Sequence, residues 1–431
     1  MDNELDNLLG LSASEIERIE NFNDLFEEEA VNEPTLTARQ IPDDAVNEPT
    51  LTAQQVPDDA VNEILGTPGN DPNLNGTDFN DRIFAFEGDD IVTGGAGEDT
   101  IDGGSGDDNL AGQDGDDSII GGSGIDLIFG DGGLSDNPLE LFNGSDIIYG
   151  GEDRDIIVGG FENDSLYGEE GNDNLSGQNG NDSLDGGSGP DNIQGGEDND
   201  TLAGGNGNDS LFGEDVNDLL MGGDGDDFLH GDRSDLPINA IGQDTLEGNN
   251  GNDKLIGGAE SDSLNGGAGS DTLIGVENSQ IEFDFGADTI DTLTGGLGRD
   301  TFVLGGPNEN GEEVVYYDDG NPEAQGTDDY ALITDFAFGD TFDYVGSFSD
   351  YRLDASPAGE PSGVGIYLEQ GETDELIAIV QFSLFGSASS RTVNSRGLSS
   401  EATLDLSGNS ADLSTTDFDS ATNIDLVAEG F

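Results

Sequence analysis

Asn179 to Gly196 reads N-G-N-D-S-L-D-G-G-S-G-P-D-N-I-Q-G-G, two copies of a nine-residue unit with Asp182 and Asp191 at one place and Leu184 and Ile193 two residues further on. Working outward, the same spacing holds without a slip through Asp146, Asp155, Asp164, Asp173, Asp182, Asp191, Asp200, Asp209, Asp218 and Asp227. Upstream it covers Asp81, Asp90, Asp99, Asp108, Asp117 and Asp126; downstream it returns at Asp244, Asp253, Asp262 and Asp271, then at Asp291 and Asp300. Every one of these aspartates has an apolar residue two places later, which at 32% apolar content would arise by chance about 10^-11 of the time. One short unit is stacked many times, the mark of a solenoid.

The unit G-G-x-G-x-D-x-U-x, with U apolar, carries its own chemistry. Its glycines permit positive φ and let a tight turn aim carbonyl oxygens at one point. A hard cation suits such a point. Calcium takes six to eight oxygens from carboxylates, carbonyls and water, and one turn with one aspartate supplies only part of that shell. Stacked turns must therefore share each ion. The x-U-x triplet makes a short strand with one side chain facing in, too little to fold alone and enough when stacked.

This pattern resembles the hemolysin-type calcium-binding repeat of RTX proteins, over residues 64–304. The resemblance implies an all-β fold, a parallel β-roll in which two nonapeptides make one coil and calcium ions lie between turns eighteen residues apart. All the aspartates named above become candidate calcium ligands, Asp164 sharing an ion with Asp182 and Asp173 with Asp191. Some units depart from the pattern: the glycine two before the aspartate is replaced by Phe79, Asp153, Glu162, Asp198, Val216, Glu260 and Thr289. Acidic replacements can still offer an oxygen; Val216 and Phe79 cannot through their side chains. A degenerate unit from Gly66 to Asp71, one residue long before Leu74, is the expected leading edge. Asp71, Asn73, Asn75 and Gly76 also match the start of an EF-hand loop, but Arg82 stands where a bidentate Glu is required, so that match is read as coincidence.

Composition points the same way. Ninety-six acidic against ten basic residues give a formal charge of −86, which repels nucleic acid and anionic membranes and makes cations the natural partner. Without calcium such a chain is expected to be an expanded polyanion, so folding and ion binding are one event. Cysteine is absent, leaving no disulfide or thiol chemistry. The acidic start M-D-N-E-L-D-N-L-L-G-L lacks the basic n-region and apolar core of a Sec signal, and no run is long enough for a transmembrane helix.

The remaining segments flank or interrupt the repeats. Residues 1–29 are acidic and expected to be partly helical, with a capping box at Ser12 and Glu15 and an apolar stripe of Ile16, Ile19, Leu25 and Phe26. A Pro-containing 15-mer repeated within 30–63 reads as a linker. Insertions near 129–143, 230–241 and 275–288 are expected to bulge from turns, the first two carrying Pro138 with Leu141 and Phe142, and Pro237 with Ile238 and Ile241. From Gly305 longer apolar runs, at Val314–Tyr317, Tyr330–Phe338, Phe342–Val345, Gly365–Leu368 and Leu376–Phe382, suggest antiparallel strands, so 305–385 is expected to be a β-rich cap. The Ser/Thr/Asp-rich tail, 386–431, is similar to the uncleaved type I secretion signals of the RTX family.

These readings favour a secreted, extracellular, calcium-binding protein with a structural, surface-layer or adhesive role and contacts to a cell surface or matrix, with no membrane insertion. The alternatives are an RTX enzyme with its chemistry in the C-terminal domain, or a calcium buffer. An enzyme is not expected: a single histidine, His230, excludes an H-E-x-x-H zinc site and no G-x-S-x-G elbow occurs. His230 reads as a solvent-facing turn residue at the start of an insertion.

Overall fold

The computed structural model describes residues 61–132, 143–232, 242–276, 289–307, 313–317, most of 330–382, and the backbone of four strands between 391 and 427. The helix expected within 1–29, nearly all of the 15-mer linker and the bulk of the three insertions lie outside the described residues. Packing divides the chain into two compact units, Met1–Ile193 and Gln194–Phe431, each considered by itself. No α-helix occurs among the described residues.

In the first unit successive strands alternate between two sheets. One holds Asn62–Leu65, Asp81–Glu87, Thr100–Ser105, Ser118–Ser123, Ile147–Glu152, Ser165–Glu170 and Ser183–Ser188, each parallel to the next. The other holds Leu74–Asn75, Ile91–Ala96, Asn109–Asp114, Leu127–Phe129, Ile156–Phe161 and Asn174–Asn179, again parallel throughout. Leu166 stands opposite Leu184 and Ile157 opposite Leu175, the eighteen-residue coil expected from two nonapeptides. The leading edge forms as expected, since the Asp71 N–H reaches Asp90 nineteen residues on, the extra residue before Leu74 being absorbed there.

Inward burial explains why such short strands hold. Ile83, Ile101, Ile119, Ile148, Leu166 and Leu184 on one sheet are at most 1% exposed, as are Val92, Leu110, Ile128, Ile157 and Leu175 on the other. Each contributes about 1.5–3 kcal/mol of burial, and a coil owns only two such side chains, so the stack is stable only as a stack. Across the first insertion Ile119 pairs with Ile148 and Ile128 with Ile157, so the added residues leave the register untouched.

The second unit repeats this plan with Thr201–Asn206, Leu219–Asp224, Thr245–Asn250, Ser263–Gly269 and Ile290–Gly298 on one sheet. Ser210–Glu214, Phe228–Asp232, Lys254–Gly258, Thr272–Val276 and Thr301–Val303 form the other. Beyond Leu304 the parallel stacking continues: Tyr330–Phe336 pairs with Ile290–Gly298, and Thr341–Asp343 with Thr301–Val303. The antiparallel reading of these two runs is therefore corrected. Longer apolar runs here mark a change of spacing, not of strand direction. Antiparallel pairing begins with Tyr351–Ala355, Val364–Glu369 and Asp374–Phe382, in the small pair Gly305–Pro307 with Glu313–Val315, and with Asn423–Val427 against Thr341–Asp343. At this end Phe302 and Phe342 replace the aliphatic side chains of one sheet while Ile333 keeps that place opposite Leu293 on the other, and Phe336 stacks on Phe342 at 4.6 Å. Rings of that size close the last coils where no further coil would cover them.

Candidate metal centre

Most strands of the roll begin at or next to a register aspartate, and none of the sequence-predicted aspartates is more than 4% exposed. They are brought together in rows. The Asp164 N–H donates to Asp182 Oδ1 and the Asp173 N–H to Asp191 Oδ1, each at 2.8 Å, so the two expected pairs are neighbours. The same bond links Asp81 to Asp99, Asp99 to Asp117 and, across the insertion, Asp117 to Asp146. Opposite it run Asp90 to Asp108, Asp108 to Asp126, Asp126 to Asp155 and Asp155 to Asp173. In the second unit the rows are Asp200, Asp218, Asp244, Asp262 and Asp291, and Asp209, Asp227, Asp253, Asp271 and Asp300. Nine-residue neighbours fall in opposite rows.

Along the rows one carboxylate oxygen is thereby accounted for; in the following residues the other is not. Oδ2 of Asp99, Asp117, Asp146, Asp155, Asp164 and Asp173 is buried without a hydrogen-bond partner, as it is in Asp218, Asp227, Asp244, Asp253, Asp262 and Asp271. A buried carboxylate charge that is neither paired nor solvated costs several kcal/mol, so protein alone does not keep it ionised. Burial is the main reason that Asp117, Asp155, Asp164 and Asp218 are pushed up to about 9; the backbone N–H each accepts pulls the other way, and row neighbours push up further. Either a proton or a cation must answer that charge.

The surroundings suit a hard cation. A Cβ built on Gly121 would lie 2.5 Å from Asp126 Oδ2 and 2.6 Å from the Gly150 carbonyl oxygen; on Gly168 it would lie 2.5 Å from both Asp173 Oδ2 and the Gly186 carbonyl. Gly204 and Gly248 meet the same pair of oxygens from Asp209 with Gly222 and from Asp253 with Gly266. Side-chain and main-chain oxygens thus gather round a space that only glycine leaves open. Among the described residues no three Asp, Glu, His or Cys side chains converge, so an ion here is held by carboxylate and carbonyl oxygens together. All-oxygen coordination by many weak ligands is calcium chemistry.

The RTX calcium-binding nonapeptide repeat model matches residues 65–101, 102–133, 142–175, 176–211, 185–220, 212–235, 240–273 and 285–306, just over half of the chain. The chain belongs to this RTX repeat family. No curated protein matches it. Among solved structures, the extracellular lipase LipA from Serratia marcescens is similar at 19% identity over 56% of this chain and 38% of its own, with a TM-score of 0.16.

Departures from the RTX consensus cost less geometry than the sequence implies. Asp153, Glu162, Asp198, Val216 and Glu260, in the glycine place two before the aspartate, all keep positive φ, between 65° and 79°. Six more non-glycine residues hold positive φ four before the aspartate, a place the sequence reading passed over: Phe86, Gln113, Glu169, Gln178, Glu214 and Asn249. Sequence reasoning also missed Asp131, Asp232 and Asp340. Asp340 Oδ1 accepts the Asp300 N–H at 3.1 Å and so ends one row, and its only sequence signal was Phe342 two residues later.

His230 is 9% exposed and packs against Phe212 and Phe228, which corrects its reading as a solvent-facing turn residue. It lies on the Phe228–Asp232 strand, opposite Phe212 on one neighbouring strand and Ile256 on the other.

Proposed function

We propose that this chain is a secreted calcium-dependent structural protein, of surface-layer or adhesive kind, that folds on calcium outside the cell and has no enzyme activity. Buried rows of aspartates, in which second carboxylate oxygens such as those of Asp99, Asp155, Asp218 and Asp253 meet no protein donor, carry this reading. At −86 the chain as a whole repels itself, and even about twenty calcium ions would leave it strongly anionic, a surface suited to calcium-bridged contacts. Export is assigned to residues 386–431 by the type I route, cytosolic calcium being too low to fold sites of the weak extracellular kind.

The test is a calcium titration at controlled free ion concentration, read by circular dichroism and solution scattering. Expected is an expanded coil in chelator that compacts to a β-type spectrum with a midpoint near 10^-4 to 10^-3 M, the range of extracellular calcium modules. Compact β structure in excess chelator would refute calcium-coupled folding, and a midpoint below about 10^-6 M would favour a cytosolic buffer. Deleting 386–431 should leave the protein inside its producing cell with the calcium response of the roll intact; normal export of that truncation refutes the assignment.

A further inference from the structure

The roots of the insertions are built differently from the regular turns. In a regular unit the apolar residue is followed by x-Gly-Gly, the second glycine having positive φ, as at Gly122 (118°) and Gly223 (112°). At the first insertion the sequence is Ile128-Phe129-Gly130-Asp131 and at the second Leu229-His230-Gly231-Asp232, an aspartate replacing that second glycine. Neither aspartate is among the residues of positive φ, so the chain does not turn there and leaves for the insertion instead. Its carbonyl no longer serves the next coil.

The side chain takes the vacated place. A Cβ on Gly151 would collide with the Gly122 carbonyl oxygen of the coil before it; on Gly160 and Gly258, one coil beyond each root, it would meet Asp131 Oδ2 at 2.5 Å and Asp232 Oδ2 at 2.6 Å. Both carboxylates are fixed from the next coil, Asp131 Oδ2 by the Phe161 N–H at 2.6 Å and Asp232 Oδ2 by the Ala259 N–H at 2.7 Å. Asp232 Oδ1 also accepts the Gly242 N–H, from the far side of its insertion. Asp131 is 7% and Asp232 5% exposed, and Asp131 Oδ1 has no hydrogen-bond partner. Across the insertions Asp146 feels the charge of Asp131 and Asp232 that of Asp244, and Oδ2 of Asp146 and of Asp244 is likewise buried and unmet.

The third insertion supplies the contrast. Val276 stands where Asp131 and Asp232 stand, and the first register aspartate beyond is Asp291. Here Tyr317, 3% exposed, donates its hydroxyl to Asp291 Oδ2 at 2.5 Å and lies over Gly275. Without the extra carboxylate the root receives a protein donor; with it, no such donor comes.

We propose that Asp131 with Asp146, and Asp232 with Asp244, each hold a calcium ion that clasps the two ends of an insertion, a pair of sites in addition to those of the regular turns. Two carboxylates and neighbouring carbonyls make a more negative donor set than a regular turn, suited to a hard divalent ion. This inference rests on the calcium reading of the regular turns.

Native mass spectrometry at fixed free calcium counts the ions one at a time. Relative to the unaltered chain, D131N and D232N should each bind one ion fewer and the double variant two fewer, with the β-type spectrum in excess calcium preserved because Asn keeps an acceptor for Phe161 or Ala259. Conversely V276D/Y317F, which copies the first two roots onto the third, should bind one ion more. That gain decides the matter even if an Asn variant fails to fold. An unchanged count in D131N/D232N, or in V276D/Y317F, beside a normal count for the unaltered chain overturns this inference alone. A chain that binds no calcium in any form overturns the regular sites as well.

Discussion

The outermost coils and the interior of the roll answer the same charge in two ways. At the leading edge Asp71 Oδ2 accepts the Thr67 N–H, and Asp81 Oδ2 accepts both the N–H and the hydroxyl of Thr77. Towards the other end Tyr317 meets Asp291, and the Ala337 N–H meets Asp340 Oδ2 at 2.6 Å. Between them, Oδ2 of residues such as Asp99, Asp155, Asp218 and Asp253 has no donor. An end coil has a neighbour on one side only and cannot share an ion across both, and protein donors meet its Oδ2, although Asp81 Oδ1 is buried without a partner. Interior coils leave the oxygen for a shared cation. The ends should therefore be insensitive to calcium in ways the interior is not.

Acidity should produce the largest difference. Asp117, Asp155, Asp164 and Asp218 stand at about 9 in the calcium-free fold against an ordinary 3.8, and Asp99 at about 6. With the folded value raised, the metal-free fold binds more protons than the unfolded chain. Its proton-linked stability is fully present below about pH 4 and is lost as pH rises through the range from about 6 to about 9. In metal-free buffer, acidification from pH 8 to 4 should restore β structure by circular dichroism, protons taking the place of cations. At pH 7, where the unfolded chain is already deprotonated, calcium-driven folding should release almost no protons. A chain that stays a coil at pH 4, or releases many protons at pH 7, would break the comparison.

Single interior ligands come next. Asp164→Ala should cost about 3 kcal/mol of calcium-loaded stability, the order of a broken buried charge pair, and remove one or two ions. The loss should couple to Asp146→Ala in the same row and add to Asp155→Ala in the other. Hydrogen exchange should show protection lost in the flanking coils only; uniform loss would contradict nearest-neighbour stacking. A smaller change with the opposite sign is expected at Val216, a β-branched residue at φ 65°. Val216→Gly should stabilise the second unit by about 1–2 kcal/mol, measured as a rise in denaturant midpoint with the calcium count unchanged. Smallest of all, Thr77→Val removes one of two donors to Asp81 and should cost about 1 kcal/mol, again without altering the calcium count. A lost ion there would show that the leading edge is not completed by protein donors.

Strict period made the coil and its rows legible in the sequence: a nine-residue step with an apolar residue two beyond each aspartate fixes which side chains face in and which carboxylates stack. What escaped lies off that period. Asp131 and Asp232 stand where a glycine is expected, so a search for aspartates in register passes over them. Asp340 follows Asp300 by forty residues, a gap that hides a continuing row from any fixed step. The donors escape for other reasons: Thr67 and Thr77 stand four before Asp71 and Asp81, a place the repeat unit leaves to glycine, and Tyr317 reaches Asp291 from a distant segment. The parallel partners of Tyr330–Phe336 were misread for a related reason, since an apolar run reveals burial and not strand direction.

Within each unit the bond from a register aspartate's N–H to the next carboxylate of its row, eighteen residues on in the regular coils, bears on how such a chain lengthens or shortens in evolution. Tandem gain or loss of eighteen residues adds or removes a whole coil, and every downstream residue keeps its sheet. A change of nine would move every later strand to the opposite sheet and every later insertion to the opposite side. Insertions of other lengths survive where both ends return to the same coil edge, as the 29-residue step from Asp117 to Asp146 and the 26-residue step from Asp218 to Asp244 do. Copy number can drift in such a gene only in pairs of repeats.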